Sequence, residues 1–220
     1  MLKKRMKHLQ VNYNGNLKDQ MDIDTVSLLM DNLDRTRLDE ISWPSFPYQP
    51  DVSFSIAHND SQLFLKYYVS EKSTQVVYRE INDTVHKDSC VEIFIGIRGE
   101  KDYYNYEFNC LGVCSAGFGD GRFDRKAVPA EIIRQVKIKT TLQSISVQDS
   151  SSIYWELALI FPIEAFHYHR FSSLSGKKFR GNLYKCGDDL PDVHFLSWNR
   201  VISDQPDFHQ PDSFGEIDFE

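Results

Sequence analysis

The chain has 220 residues, 41% hydrophobic and 26% charged, the composition of a globular protein with enough length for a sizeable core. Its formal charge of -7 argues against a nucleic-acid partner, which would need clustered Lys and Arg. The basic cluster "MLKKRMK" is followed by "HLQVNYNGNLKDQ", with no apolar run of the kind an export signal or membrane span requires. The expected location is cytoplasmic, or periplasmic or extracellular if a leader has been trimmed from the chain. The four cysteines, Cys90, Cys110, Cys114 and Cys186, form no C-x-x-C pair and are too scattered for a disulfide framework, so free and partly buried thiols are expected.

In chain order, "DTVSLLMDNLD" comes first and spaces Val26, Leu29, Met30 and Leu33 as one helix face. This predicts a helix near 25–33, capped by Asp24 or Thr25. Residues 1–42 form a lead-in to a strand-rich remainder. After the proline-punctuated "WPSFPYQP" come the short runs "VSFSIAH", "LFLKYYV" and "VVYRE", the first two joined by "NDSQ" as a hairpin loop. "VEIFIGI", "YYNYEFN", "VKIKTTL", "IYWELALIF", "FRGNLYKC", "HFLSW" and "GEIDF" continue the strand pattern, and Pro162 ends the fourth of these seven. Many strands, one early helix and no alternation of strand with helix predict an all-β, two-sheet antiparallel sandwich in a single domain over 1–220.

Within "HKDSCVEIFIGI", Val91, Ile93, Ile95 and Ile97 occupy one strand face, while Asp88, Cys90, Glu92 and Phe94 occupy the other. A carboxylate in the middle of a strand must be solvated, paired or used, because an unpaired dry charge is costly. The next strand places Tyr103, Asn105, Glu107 and Asn109 on its polar face, and "FRGNLYKC" places Arg180 and Asn182 on a shared face as hydrogen-bond donors. Trp155, alternating with Leu157 and Leu159, and Trp198 read as core packing, and Trp43 as a lid over one sandwich end. His167 and His169 have the same-face spacing of two metal ligands on a strand, without an evident third. Asp120 with Asp124, and Asp188 with Asp189, read as solvated acidic turns that lack the spacing of an EF-hand loop. None of the common nucleotide-binding, serine-hydrolase or zinc-protease motifs occurs.

"KDSCVEIFIG", "YYNYEFNCLG", "YKCGDD", "SWNR" and "FHQPDSFGEIDF" succeed one another in order from about Trp43 to Glu220. Together they resemble the signature of family 9 carbohydrate-binding modules and their stand-alone relatives. The resemblance implies an immunoglobulin-like or jelly-roll β-sandwich that binds the end of an oligosaccharide or polysaccharide on a concave sheet face. In some members calcium is a structural cofactor. It also implies two sugar-clamping tryptophans, at whose places this chain has His86 and Phe208. A basic residue two positions before the strand-ending Asn is replaced by Glu107. The expected ligand-binding set is therefore Glu92, Glu107, Asn109, Phe208, His86, Arg180 and Asn182, acting without catalysis. The alternatives are a glycoside hydrolase using Glu92 and Glu107, which would have to flank a scissile bond, a haem-holding sandwich, and a scaffold that has lost its sugar.

Overall fold

The computed structural model describes residues 6–147 and 150–220. Among the described residues fourteen strands occur in order: β1 (His8–Val11), β2 (Thr36–Arg37), β3 (Glu40–Ile41), β4 (Asp51–His58), β5 (Gln62–Glu71), β6 (Cys90–Ile97) and β7 (Tyr103–Asn109). The second half holds β8 (Cys114–Gly119), β9 (Lys126–Ala127), β10 (Lys137–Val147), β11 (Ser150–Pro162), β12 (Lys178–Gly187), β13 (His194–Ser197) and β14 (Gly215–Phe219). The larger sheet runs β1-β14-β12-β6-β7-β8-β9, with β13 joined to β12 and β3 to β13, and the smaller runs β10-β11-β5-β4-β2. The sandwich is antiparallel as expected, save that β1 pairs with β14 in parallel.

The helix α1 spans Ile23–Met30, and its N-cap is Asp22, whose carboxylate accepts from the Thr25 amide at 2.8 Å. The helix therefore starts earlier than the apolar spacing suggests and stops before Leu33. A second, four-residue helix, α2, spans Ala130–Ile133. "NDSQ" is the β4–β5 turn, with Asp60 in the left-handed region at φ 75 and the Asn59 side chain accepting from the Gln62 amide. "VVYRE" is not a strand. Its amides are taken by side chains instead: the buried Asp88 carboxylate accepts from Val77 and Tyr78 at 2.8 and 3.1 Å, and Asp83 accepts from Arg79 and Glu80.

Alternation sorts the side chains into three cores. Between the sheets, Val91, Ile93 and Ile95 of β6 and Tyr104, Tyr106 and Phe108 of β7 pack with Leu63, Leu65 and Tyr67 of β5 and Trp155, Leu157 and Leu159 of β11. Burial of each such side chain stabilises by about 1.5–3 kcal/mol relative to exposure. A smaller cluster under α1 joins Val26 and Met30 to Ala57, Phe64 and Ile160 on the outer face of the smaller sheet. The third lies on the outer face of the larger sheet, where Phe94, Tyr103 and Tyr184 meet Trp43, Val85, Val201, Phe208 and Phe214 from the covering segments. This last face carries the polar residues of β6 and β7, so it is covered where an antiparallel sheet commonly faces water.

At one end the two sheets are joined by charge. Lys185 of β12 lies 2.9 Å from Glu71 of β5, both side chains fully buried. Glu71 also accepts from the Trp155 indole at 2.7 Å. The His194 Nδ1–H donates to the Asp192 carbonyl, leaving Nε2 to accept from Lys185 at 2.8 Å. Burial, aided by the Lys185 charge, holds His194 neutral with a pKa of about 3. Removing one partner of a buried pair strands the other, so Lys185→Met is expected to cost about 3–5 kcal/mol in chemical denaturation. Adding Glu71→Gln is expected to recover much of that loss. Asp88→Ala, which leaves the Val77 and Tyr78 amides without their acceptor, is expected to cost about 1–3 kcal/mol by the same measurement.

Candidate functional site

The outer face of the larger sheet holds a cavity of about 300 Å³. Its floor comes from the alternate positions of neighbouring strands: Glu92 and Phe94 on β6, Asn105 and Glu107 on β7, Ser115 on β8 and Cys186 on β12. Register does the positioning. Glu92 lies directly opposite Glu107, and Phe94 opposite Asn105. One wall is the stretch from Asn82 to His86 and the other the stretch from Pro206 to His209. The latter is fixed by the Asp207 carboxylate, which accepts from the His209 amide and the Gln210 side chain.

A hydrogen-bonded chain crosses the floor. Arg125 donates Nε–H to Asn105 Oδ1 at 2.9 Å, and the Asn105 amide donates to Glu107 Oε1 at 2.8 Å. The other Glu107 oxygen is 3.7 Å from His86 Nδ1. Arg125 is locked by further bonds to the carbonyls of Tyr103, Gly117, Gly119 and Gly121, and its guanidinium lies 4.5 Å over the Tyr103 ring. This close approach needs Gly117: a Cβ there would stand 2.9 Å from Asn105 Oδ1 and 3.2 Å from Arg125 Nε.

Glu92 is held differently. It is 2% exposed, and its hydrogen-bond partners are thiols, with Cys186 donating to Oε1 at 3.1 Å and Cys90 at 4.0 Å. Burial, reinforced by the Glu107 charge opposite, pushes its carboxyl well above the ordinary carboxylate range. The neighbouring Glu107 carboxyl group raises His86 against the effect of burial. Burial and the nearby Arg125 charge hold His209 down to about 4, which keeps it neutral beside Phe94, with ring centroids 4.8 Å apart. The cavity thus offers two carboxyl groups, a guanidinium and an imidazole beside aromatic surface.

Four of the seven expected ligand-binding residues, His86, Glu92, Glu107 and Phe208, line this one cavity. Phe208 is mostly a packing residue, 9% exposed, stacked on Tyr184 at 4.1 Å and packed against Trp43. The other three lie outside it. Asn109 is fully buried, its amide donating to the Tyr78 carbonyl and Asp88 while its oxygen accepts from Leu111 and Val113. Asn182, also fully buried, exchanges hydrogen bonds with the Asn199 backbone. Arg180 clamps the carbonyls of Glu100, Lys101 and Pro211. Each shares a strand face with the site, but its bonds are spent on neighbouring loops.

Arg125, Asn105 and Asp188 also line the cavity, with Arg122 and Phe195, and nothing in the local pattern around Arg125 marks it for this role. Trp155 and Trp198 are core residues as expected. Trp43 lies behind Phe208 and donates to the Ser203 carbonyl. His167 and His169 are not on a strand, and His169 bonds Tyr104 and Glu100. The two acidic pairs read from the sequence do not by themselves make the calcium site found in some family members. Neither Asp120 with Asp124 nor Asp188 with Asp189 joins a trio of converging donors among the described residues, and calcium takes six to eight oxygen ligands.

The profile of carbohydrate-binding family 9 matches residues 22–219, nearly the whole chain. A candidate carbohydrate-binding protein from Bacteroides uniformis has 35% identity and a TM-score of 0.89, over 98% of this chain and 100% of that one. Family 9 modules from Caldicellulosiruptor kristjanssonii share the fold at 15% identity in a complex with cellotriose, and at 13% in a complex with glucose. Both have TM-scores of 0.54 and cover 97% of this chain, and 94% and 96% of their own. No curated protein matches. No helix among the described residues is long and apolar enough to cross a membrane. An ordered motif set, a two-sheet sandwich and a profile spanning both sheets together place the chain in carbohydrate-binding family 9.

Proposed function

We propose that the cavity over β6 and β7 binds the end of a saccharide without catalysis, with Glu92 and Glu107 receiving sugar hydroxyls and Arg125 and His86 as the cationic side. The observation that carries this reading is the convergence of two carboxyl groups, directly opposed in register, on a cavity that also holds a guanidinium, an imidazole and aromatic rings. A sugar ring presents hydroxyls that both donate and accept, and C–H patches that rest on aromatic surface. At about 300 Å³ the cavity lies at the small end of ligand sites, which favours one or two rings over a longer run of chain. Family membership supports the same reading, as do the cellotriose and glucose bound by the Caldicellulosiruptor modules.

The aromatic contribution differs from a tryptophan clamp. His86 is engaged with Glu107 and Phe208 with Tyr184, so hydrogen bonds are expected to dominate affinity. Glu92 and Glu107 lie side by side on adjacent strands of one floor, whereas hydrolysis of a glycosidic bond needs two carboxyls flanking it.

Calorimetric titration with glucose, cellotriose and a panel of other saccharides tests the reading. Binding is expected for at least one, with Glu92→Gln and Glu107→Gln each weakening it tenfold or more, about 1.4 kcal/mol. Absence of binding across the panel at millimolar concentration, or unchanged affinity in both variants, would overturn it. Turnover of an oligosaccharide that Glu92→Gln abolishes would favour the hydrolase instead.

Stability should move the other way. Because the native carboxyl of Glu92 is raised above its ordinary value of 4.5, the folded state keeps a proton that the unfolded chain has released. Stability is therefore lost as pH rises from that ordinary value through the raised one, and the loss persists above it. Glu92→Gln is expected to melt above the wild type at about pH 8 and to converge on it near pH 4. A thermal-melt series across that range reads the difference directly.

A further inference from the structure

The floor of the cavity holds a second constellation that sugar recognition does not require. Cys90 and Cys186 are direct cross-strand partners on β6 and β12, and their thiols converge on the same oxygen of Glu92. The Cys186 sulfur is 3.1 Å from it and the Cys90 sulfur 4.0 Å, with all three donor atoms within 4.8 Å of one another. In a tetrahedral site with bonds of about 2.3 Å to sulfur and about 2.0 Å to oxygen, sulfur and oxygen ligands lie about 3.5 Å apart and two sulfurs about 3.8 Å. The observed separations bracket the first spacing and need shifts of a few tenths of an ångström to reach it.

We propose that Cys90, Cys186 and Glu92 form a three-ligand site for a thiophilic divalent metal of the zinc class, with its fourth position facing the cavity. Thiolate donors select zinc or cadmium over calcium or magnesium. Three protein ligands with one position left for water or a ligand make an open site rather than a closed structural one. All three side chains are buried, but Cys186 and Glu92 line the cavity, so the metal would enter from the cavity side. Of the charges that bear on Glu92, Glu107 and Asp188 are negative and Lys185 is positive.

On binding, the two S–H bonds and the Glu92 O–H bond break heterolytically, the protons leave through the cavity, and a lone pair from each ligand atom is donated to the metal. Two thiolates and one carboxylate then face a charge of +2. Burial keeps both thiols protonated when no metal is present, with Cys90 raised to about 12 and Cys186 raised well above the usual thiol range, so metal uptake releases protons. The site shares Glu92 with the proposed saccharide cavity, but it can be tested with metal alone.

The test is a titration of the reduced protein with cadmium, monitored by thiolate-to-metal absorption and proton release, with zinc as competitor. One equivalent is expected, releasing at least two protons. Affinity should fall at least a hundredfold in Cys90→Ser and in Cys186→Ser, and be retained in Cys110→Ser and Cys114→Ser. X-ray absorption of the zinc-loaded wild type needs no variant and should show two sulfur neighbours at about 2.3 Å. Absence of stoichiometric binding, undiminished binding in both serine variants at 90 and 186, or a zinc shell of nitrogen and oxygen alone would each overturn the proposal.

Discussion

Two carboxyl groups set directly opposite one another on adjacent strands are the constraint around which this sandwich is arranged. The β6–β7 register that buries Ile93 against Tyr106 between the sheets also places Glu92 against Glu107 on the outer face. Like charges facing across a strand pair are destabilising, and covering segments on that face shield them from water. The two groups are kept apart chemically by different partners. Glu107 is hydrogen-bonded by Asn105 and lies near His86, whereas Glu92 meets only thiols among its hydrogen-bond partners in the described residues. Burial presses Glu92 toward the neutral acid.

Neighbouring parts of the fold maintain this difference. Asp88, just before β6, organises the irregular segment that leads to the His86 wall, and Asn109 at the end of β7 bonds to the same carboxylate. Arg125 stitches β7 to β8 through carbonyls and Asn105, using small residues where side chains would otherwise intervene. Lys185 and Glu71 tie the sheets together from the opposite face of β12. The resulting floor is preorganised, so a ligand that needs its donors and acceptors would not have to order them on arrival.

Strand alternation made much of this legible. The period of two in "VEIFIGI" and "YYNYEFN" was enough to put Glu92 and Glu107 on one face, and the ordered motifs from Trp43 onward were enough to indicate the family. Alternation gives the face of a residue and is silent about what covers that face. Asn109 and Asn182 share a strand face with the floor residues, yet loops near and far in sequence consume their hydrogen bonds, and Arg180 reaches loop carbonyls. Arg125 was invisible for the opposite reason, since it precedes a two-residue strand and matters only because β8 is glycine-rich. "VVYRE" has strand-like residues, but Asp88 and Asp83 supply its amides with acceptors that no neighbouring strand provides. The helix start moved for a similar local reason, an Asp22 cap lying outside the apolar repeat.

The Glu92–Glu107 floor is proposed as the seat of the saccharide, and a crystal structure of the protein soaked with a saccharide that binds in solution decides the matter. The expected result is a terminal sugar in the cavity between the His86 and His209 walls, with hydroxyls within hydrogen-bond distance of both carboxyl groups. A sugar bound elsewhere on the sandwich, with this cavity holding only water, would contradict it.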